Sequence, residues 1–180
     1  MKDYIEKLSA TKCILMLMGI FAFICMISNT FFRQNFKYLT QTFNYTSEYA
    51  YQLMNKIGAS GRTAHLLILI TDLIMVILYT NLLFGINYRL ICSITKKCHI
   101  ITILTFSPFV LAVVQFGEII ANAILIINYK KEYSNIAHLA NVLTIVKFNI
   151  TVICFGLPFI LLCVNIIVKL TNKRKMNGEG

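Results

Sequence analysis

Four long apolar runs constrain this chain more than any other feature, at about residues 13–32, 64–86, 99–128 and 140–168. A helix crosses the hydrocarbon core of a bilayer with about 20 apolar residues, so each run is long enough to span. Spanning β-strands would alternate apolar and polar residues over about ten positions, which these runs do not do. The segment Ile27-Ser28-Asn29-Thr30-Phe31 lacks the small residues of a leader cleavage site, so the first run reads as a span. Backbone polar groups inside lipid must bond to one another. The expected fold class is therefore all-α: an integral membrane four-helix bundle, residues 1–180 forming a single membrane domain.

Composition points to the partner. A net charge of +10 would suit nucleic acid, but the charges fall between the apolar runs, in a chain that is 58% hydrophobic and only 13% charged. The basic residues thus meet anionic head groups, and the expected partner is the lipid bilayer, with no nucleic acid. Lys and Arg near the span ends set orientation. With both termini cytoplasmic, the inner set is Lys2, Lys7, Lys12, Arg89, Lys96, Lys97, Lys169, Lys173, Arg174 and Lys175. The outer set is then Arg33, Lys37, Lys56, Arg62, Lys130 and Lys131. This bias favours termini inside and a multi-pass protein of the plasma membrane.

Between the first two spans lies the largest extramembrane stretch. Its second half, about 46–58, reads as a short amphipathic helix: Thr46 or Ser47 can cap it, and Glu48 and Lys56 suit its first and last turns. Ala50, Leu53, Met54 and Ile57 share a face, and Gly58 stands at a C-terminal cap position. Phe32, Phe36, Tyr38, Phe43, Tyr45, Tyr49 and Tyr51 fit an aromatic belt at the head groups. The segment either lies on the membrane as a cap or serves as a lid over a ligand.

Several chemistries lack their residues. Cys13, Cys25, Cys92, Cys98, Cys154 and Cys163 are scattered without a C-x-x-C pair, which disfavours a thiol-redox enzyme. His65, His99 and His138 have no spacing for a zinc site. There is no glycine-rich phosphate loop and no G-x-S-x-G. No metal and no cofactor is expected, and no catalytic residue can be assigned. Asn44-Tyr45-Thr46 is a glycosylation sequon, meaningful only in a eukaryotic host.

Charge inside the apolar runs is the informative signal. Asp72 lies in the second run, Glu118 in the third and Lys147 in the fourth. Such residues are costly in lipid and face the bundle, where they find partners. At 1.5 Å per residue, Asp72 sits about 12 Å below Ala64, Glu118 about 15 Å below Asn128, and Lys147 about 10 Å below Ala140. Three helices thus place ionisable groups in one outer layer. Gln115, Glu118 and Asn122 share a heptad stripe with Pro108, Leu111 and Leu125. His65, Asp72 and Tyr79 are spaced by seven, and Thr144, Lys147, Thr151, Cys154 and Pro158 share a face. Arg62 and His65 can reach the layer from its rim.

These residues resemble a family of small four-helix membrane proteins, known mainly from bacterial genomes, that has no assigned activity. The resemblance covers about residues 50–150. Gly58-Ala59-Ser60-Gly61-Arg62 matches its G-x-x-G-R turn, Asp72 and Tyr79 its acid and tyrosine, Pro108 and Glu118 part of its P-x6-D-x2-E-N, and Thr144 and Lys147 its T-x-x-K. Gln115, Ile119 and Val76 depart from the pattern, Val76 at a proline of the family. The resemblance implies a shared fold and site.

Three functions remain open. A binding or transport module would hold a lipid head group, small cation or proton. A structural or accessory subunit, in a homo-oligomer or with a membrane partner protein, would use the charges only to fix packing. A lipid-modifying enzyme would use Asp72 and Glu118 as acid and base, but lacks a nucleophile or metal site.

Overall fold

The computed structural model describes residues 10–31, 39, 42, 44–94 and 104–176, and among them the chain is all-helical. The elements are α1 (Thr11–Phe31), α2 (Ser47–Lys56), α3 (Gly58–Ile94), α4 (Ser107–Ile127) and α5 (Ser134–Met176). Three of them, α3, α4 and α5, are long and apolar enough to cross a membrane. The apolar stretch Thr11–Ile27 of α1 is shorter. Lys96, Lys97 and the first part of the third apolar run lie outside the described residues, as do Arg33, Lys37, Phe32, Phe36, Tyr38 and Phe43.

The helix α2 is capped as its sequence dictates. Thr46 has extended backbone angles, and its Oγ1 accepts the Tyr49 N–H at 3.2 Å. Glu48 lies in the first turn, where Gln52 Nε2 donates to its carboxylate at 3.1 Å, and Lys56 lies in the last. Ala50, Leu53 and Met54 face inward with Ile57. Gly58 ends the helix with φ +67°, a left-handed conformation that costs an L side chain about 1–2 kcal/mol.

The next helix starts at once, so the G-x-x-G-R segment is not a turn throughout. Only Ile57–Gly58 turns, and Ala59 to Arg62 are already helical. Gly61 is small because the chain folds tightly there. A Cβ on it would lie 2.6 Å from Ile57 Cβ.

α3 runs for 37 residues and α5 for 43, about 55 and 65 Å, well beyond the apolar runs that mark them. The apolar runs record where lipid must be faced, whereas hydrogen bonding carries the helices further. Pro158 lies within α5. Helices α3, α4 and α5 pack on one another, α1 packs chiefly on α3, and α2 rests on α3 and α5.

Cross-helix contacts fix the register. Tyr79 bonds Gln115 and Phe84 meets Phe109 edge to face, at a centroid distance of 5.4 Å, so α3 and α4 are antiparallel. Tyr79 meets Phe155 and Asn165 Nδ2 donates to Ser93 Oγ, so α3 and α5 are parallel. Arg89 donates to Thr11 Oγ1, which pairs the start of α1 with the end of α3. Large apolar side chains such as Val113, Ile120, Val152, Ile153, Phe159 and Ile167 stay exposed on the outward faces. A soluble surface would not carry them, but lipid receives them without cost.

Two of the aromatic residues assigned to the head-group belt lie elsewhere. Tyr45 is 5% exposed and Tyr51 8%, both inside the core cluster, because each has a polar partner or neighbour in α5 or in the loop before it.

Candidate functional site

Glu118 is the centre. It projects from the inward stripe of α4, where Pro108, Leu111, Asn122 and Leu125 are also buried and Gln115 is half-buried. Its side chain is only 1% exposed, and Lys147 Nζ approaches its two oxygens at 2.7 and 2.8 Å. Thr144 Oγ1, one turn before Lys147 on α5, lies 2.7 Å from Glu118 Oε1 and 2.9 Å from the Ala140 carbonyl. The spacing Thr144-x-x-Lys147 places hydroxyl and ammonium on one helical face, so α5 presents two donors to one carboxylate.

Toward α2, Asn122 Nδ2 donates to the Glu118 backbone carbonyl at 3.0 Å, and its Oδ1, though fully buried, has no partner. On α5, Asn141 Oδ1 accepts the Tyr45 N–H at 3.0 Å. This bond seats Tyr45 over Glu118 and Thr144. Its hydroxyl is buried beside the Thr144 hydroxyl. Burial first, and then the Glu118 charge, push the Tyr45 phenol well above the usual tyrosine range, against a smaller opposing effect of the Thr144 hydroxyl. A shallow cleft lined by Thr42, Asn44, Thr46 and Tyr49 also includes Tyr45.

Away from α2, Tyr79 is buried and its hydroxyl donates to Gln115 Oε1 at 2.6 Å, one turn along α4 from Glu118. Asp72 lies half-buried on α3. The α3–α4 register places it level with Asn122, and the α3–α5 register places it level with Thr144–Lys147. His65 is wholly buried two turns nearer α2.

Arg62 points elsewhere. Its guanidinium donates to the Met54 carbonyl of α2 at 2.9 Å and lies 3.7 Å from the Tyr129 ring centroid, past the end of α4. It fastens α2, α3 and α4 together instead of leaning over Glu118, because these partners lie nearer.

Sequence reasoning missed Tyr45 and Asn141. Asn141 continues the Thr144–Lys147 face by one more turn and was readable there. Nothing in the sequence distinguishes Tyr45 from the aromatic residues around it. Among the described residues no three His, Cys, Asp or Glu side chains converge to hold a metal. Comparison with protein families, curated proteins and solved structures finds no match to this chain.

Proposed function

We propose that the chain is a multi-pass protein of the plasma membrane, with α1 as a fourth span and both termini cytoplasmic, whose Glu118–Lys147–Thr144 centre binds a proton or small cation. The observation that carries the reading is a buried ion pair bordered by a polar atom without a partner, Asn122 Oδ1, with the buried Tyr45 hydroxyl beside it. A purely architectural pair needs its own lone pairs and protons satisfied; it does not need spare buried groups beside it, each costing about 1–3 kcal/mol when unmet. A water or ion in the same pocket would satisfy them. Tyr45 lines the cleft beside α2 and also lies close to Glu118, so it is the residue through which an ion would reach the centre from that side. A lipid head group fits less well, since Glu118 is closed off by Tyr45 and the helices.

A second reading keeps the pair as packing only, as in an accessory subunit. The mutual saturation of Lys147 and Glu118 at 2.7–2.8 Å favours it. Infrared difference spectra of the purified protein, recorded as pH is lowered and as sodium or potassium is added, separate the two. A carboxylic acid or carboxylate band that responds in wild type and is absent in Glu118→Gln supports a site. A spectrum without any Glu118 response leaves only the packing role.

A further inference from the structure

The half of the bundle away from α2 holds buried polar groups that the Glu118 centre does not use. Thr80 Oγ1, both side-chain polar atoms of Asn87 and Asn165 Oδ1 are all buried without a hydrogen-bond partner, and Ser107 Oγ is buried beside the Cys154 thiol. Thr80 and Asn87 are spaced by seven on α3 and so share its inward face; they are 4% and 0% exposed. The antiparallel register set by Tyr79–Gln115 and Phe84–Phe109 brings Asn87 level with Ser107 on α4. Asn165 of α5 lies beyond them, hydrogen-bonded to Ser93 near the end of α3.

We infer that these groups extend the Glu118 centre into a hydrated path that carries protons through the α3–α4–α5 core to the end of the bundle opposite α2. The inference rests on the proposed reading of Glu118 as a proton site. Its steps run from Glu118 and Thr144 to the Tyr79–Gln115 pair, then Thr80, then Asn87 and Ser107, then Asn165 and Ser93. The longest step along α3, from Thr80 to Asn87, is about 10 Å at 1.5 Å per residue, a gap that a short file of water closes.

Native proteins leave few buried polar atoms unpaired, and here several lie on one seam between three helices. A buried water makes about 2–4 hydrogen bonds, and amides and hydroxyls are what it needs as neighbours. The same geometry selects the proton. A bare metal cation takes about six or more oxygen ligands at one level, whereas each level here offers one or two side chains. A proton needs only a single file of hydrogen bonds, passing from one oxygen to the next while each donor takes up a proton behind it.

The test is proton flux into proteoliposomes under a valinomycin-imposed potassium potential, read with a pH dye trapped inside, next to the infrared response of Glu118. Wild-type vesicles should acidify faster than empty ones. Asn87→Leu and Thr80→Val should lose most of that flux while the Glu118 infrared response persists. Thr80→Val keeps side-chain shape, so it decides the matter if Asn87→Leu does not fold. Wild-type flux no greater than that of empty vesicles, an undiminished flux in Thr80→Val, or a current carried by sodium or potassium instead of protons would each overturn the path. A missing Glu118 response would instead overturn the site reading on which the path depends.

Discussion

Lys147→Met removes one charge while keeping side-chain length, and leaves behind a carboxylate that is 1% exposed. Nζ now lies 2.7 Å from one Glu118 oxygen and 2.8 Å from the other. At an effective dielectric of 20, that separation corresponds to a gross attraction of about 6 kcal/mol. Desolvation of both ions offsets much of it when the pair forms, but the variant keeps the buried acid and loses the cation. The expected loss is therefore about 3–5 kcal/mol, the usual cost of breaking one half of a buried pair. For a chain of this size that is a fall of roughly 6–20 °C in the unfolding midpoint. Thr144 still donates to Glu118, which holds the cost to this range. The assay is thermal unfolding in one detergent for wild type, Lys147→Met, Glu118→Gln and the double variant. The double variant should recover most of the lost stability, because a neutral amide beside Thr144 needs no counter-ion. A single variant that costs under about 1 kcal/mol, or a double variant whose loss is the sum of the singles, would refute the coupling inferred from the geometry.

Gly61→Ala forces a Cβ to within 2.6 Å of Ile57 Cβ and should destabilise the α2–α3 junction by about 1–3 kcal/mol, seen as a lower unfolding midpoint and faster proteolysis near Ile57. Arg62→Gln loses both the bond to Met54 and the stacking on Tyr129, and should cost about 1–3 kcal/mol by thermal unfolding without altering the Glu118 infrared response. Tyr45 has its phenol raised in the folded state, so the unfolded chain gives up that proton first and the native fold loses stability as pH rises above about 10. Tyr45→Phe should flatten that alkaline loss, measured as the difference between wild-type and variant midpoints across pH. An identical alkaline slope in both would show that Tyr45 is not buried as described.

The Glu118–Lys147 pair is legible in the sequence because lipid makes charge expensive. A lone Glu118 or Lys147 in an apolar run has to turn inward, and the stripe Pro108, Leu111, Glu118, Asn122, Leu125 says which way inward is. Helix ends are less legible, since α3 and α5 continue past their apolar runs, carried by backbone bonding to which hydropathy is blind. The amphipathic α2 is the exception: Thr46 and Gly58 mark its limits with local chemistry. Arg62 shows where proximity in sequence misleads. Its reach allows Glu118, but Met54 and Tyr129 stand closer once the chain is folded. Tyr45 depends on Asn141, 96 residues away, and no local pattern contains that bond. Thr80, Asn87 and Ser107 escape notice for another reason: uncharged polar side chains are ordinary in spans, and only burial without partners makes them informative.

The lopsided packing of α1 bears on how the chain is assembled during synthesis. α1 emerges from the ribosome before any other described helix, yet its main neighbour is α3, and Thr11 meets Arg89 only near that helix's far end. It must therefore wait, undocked, until about eighty further residues have been made. α1 rests chiefly on one neighbour, and the ionic centre is built from α4 and α5 without it.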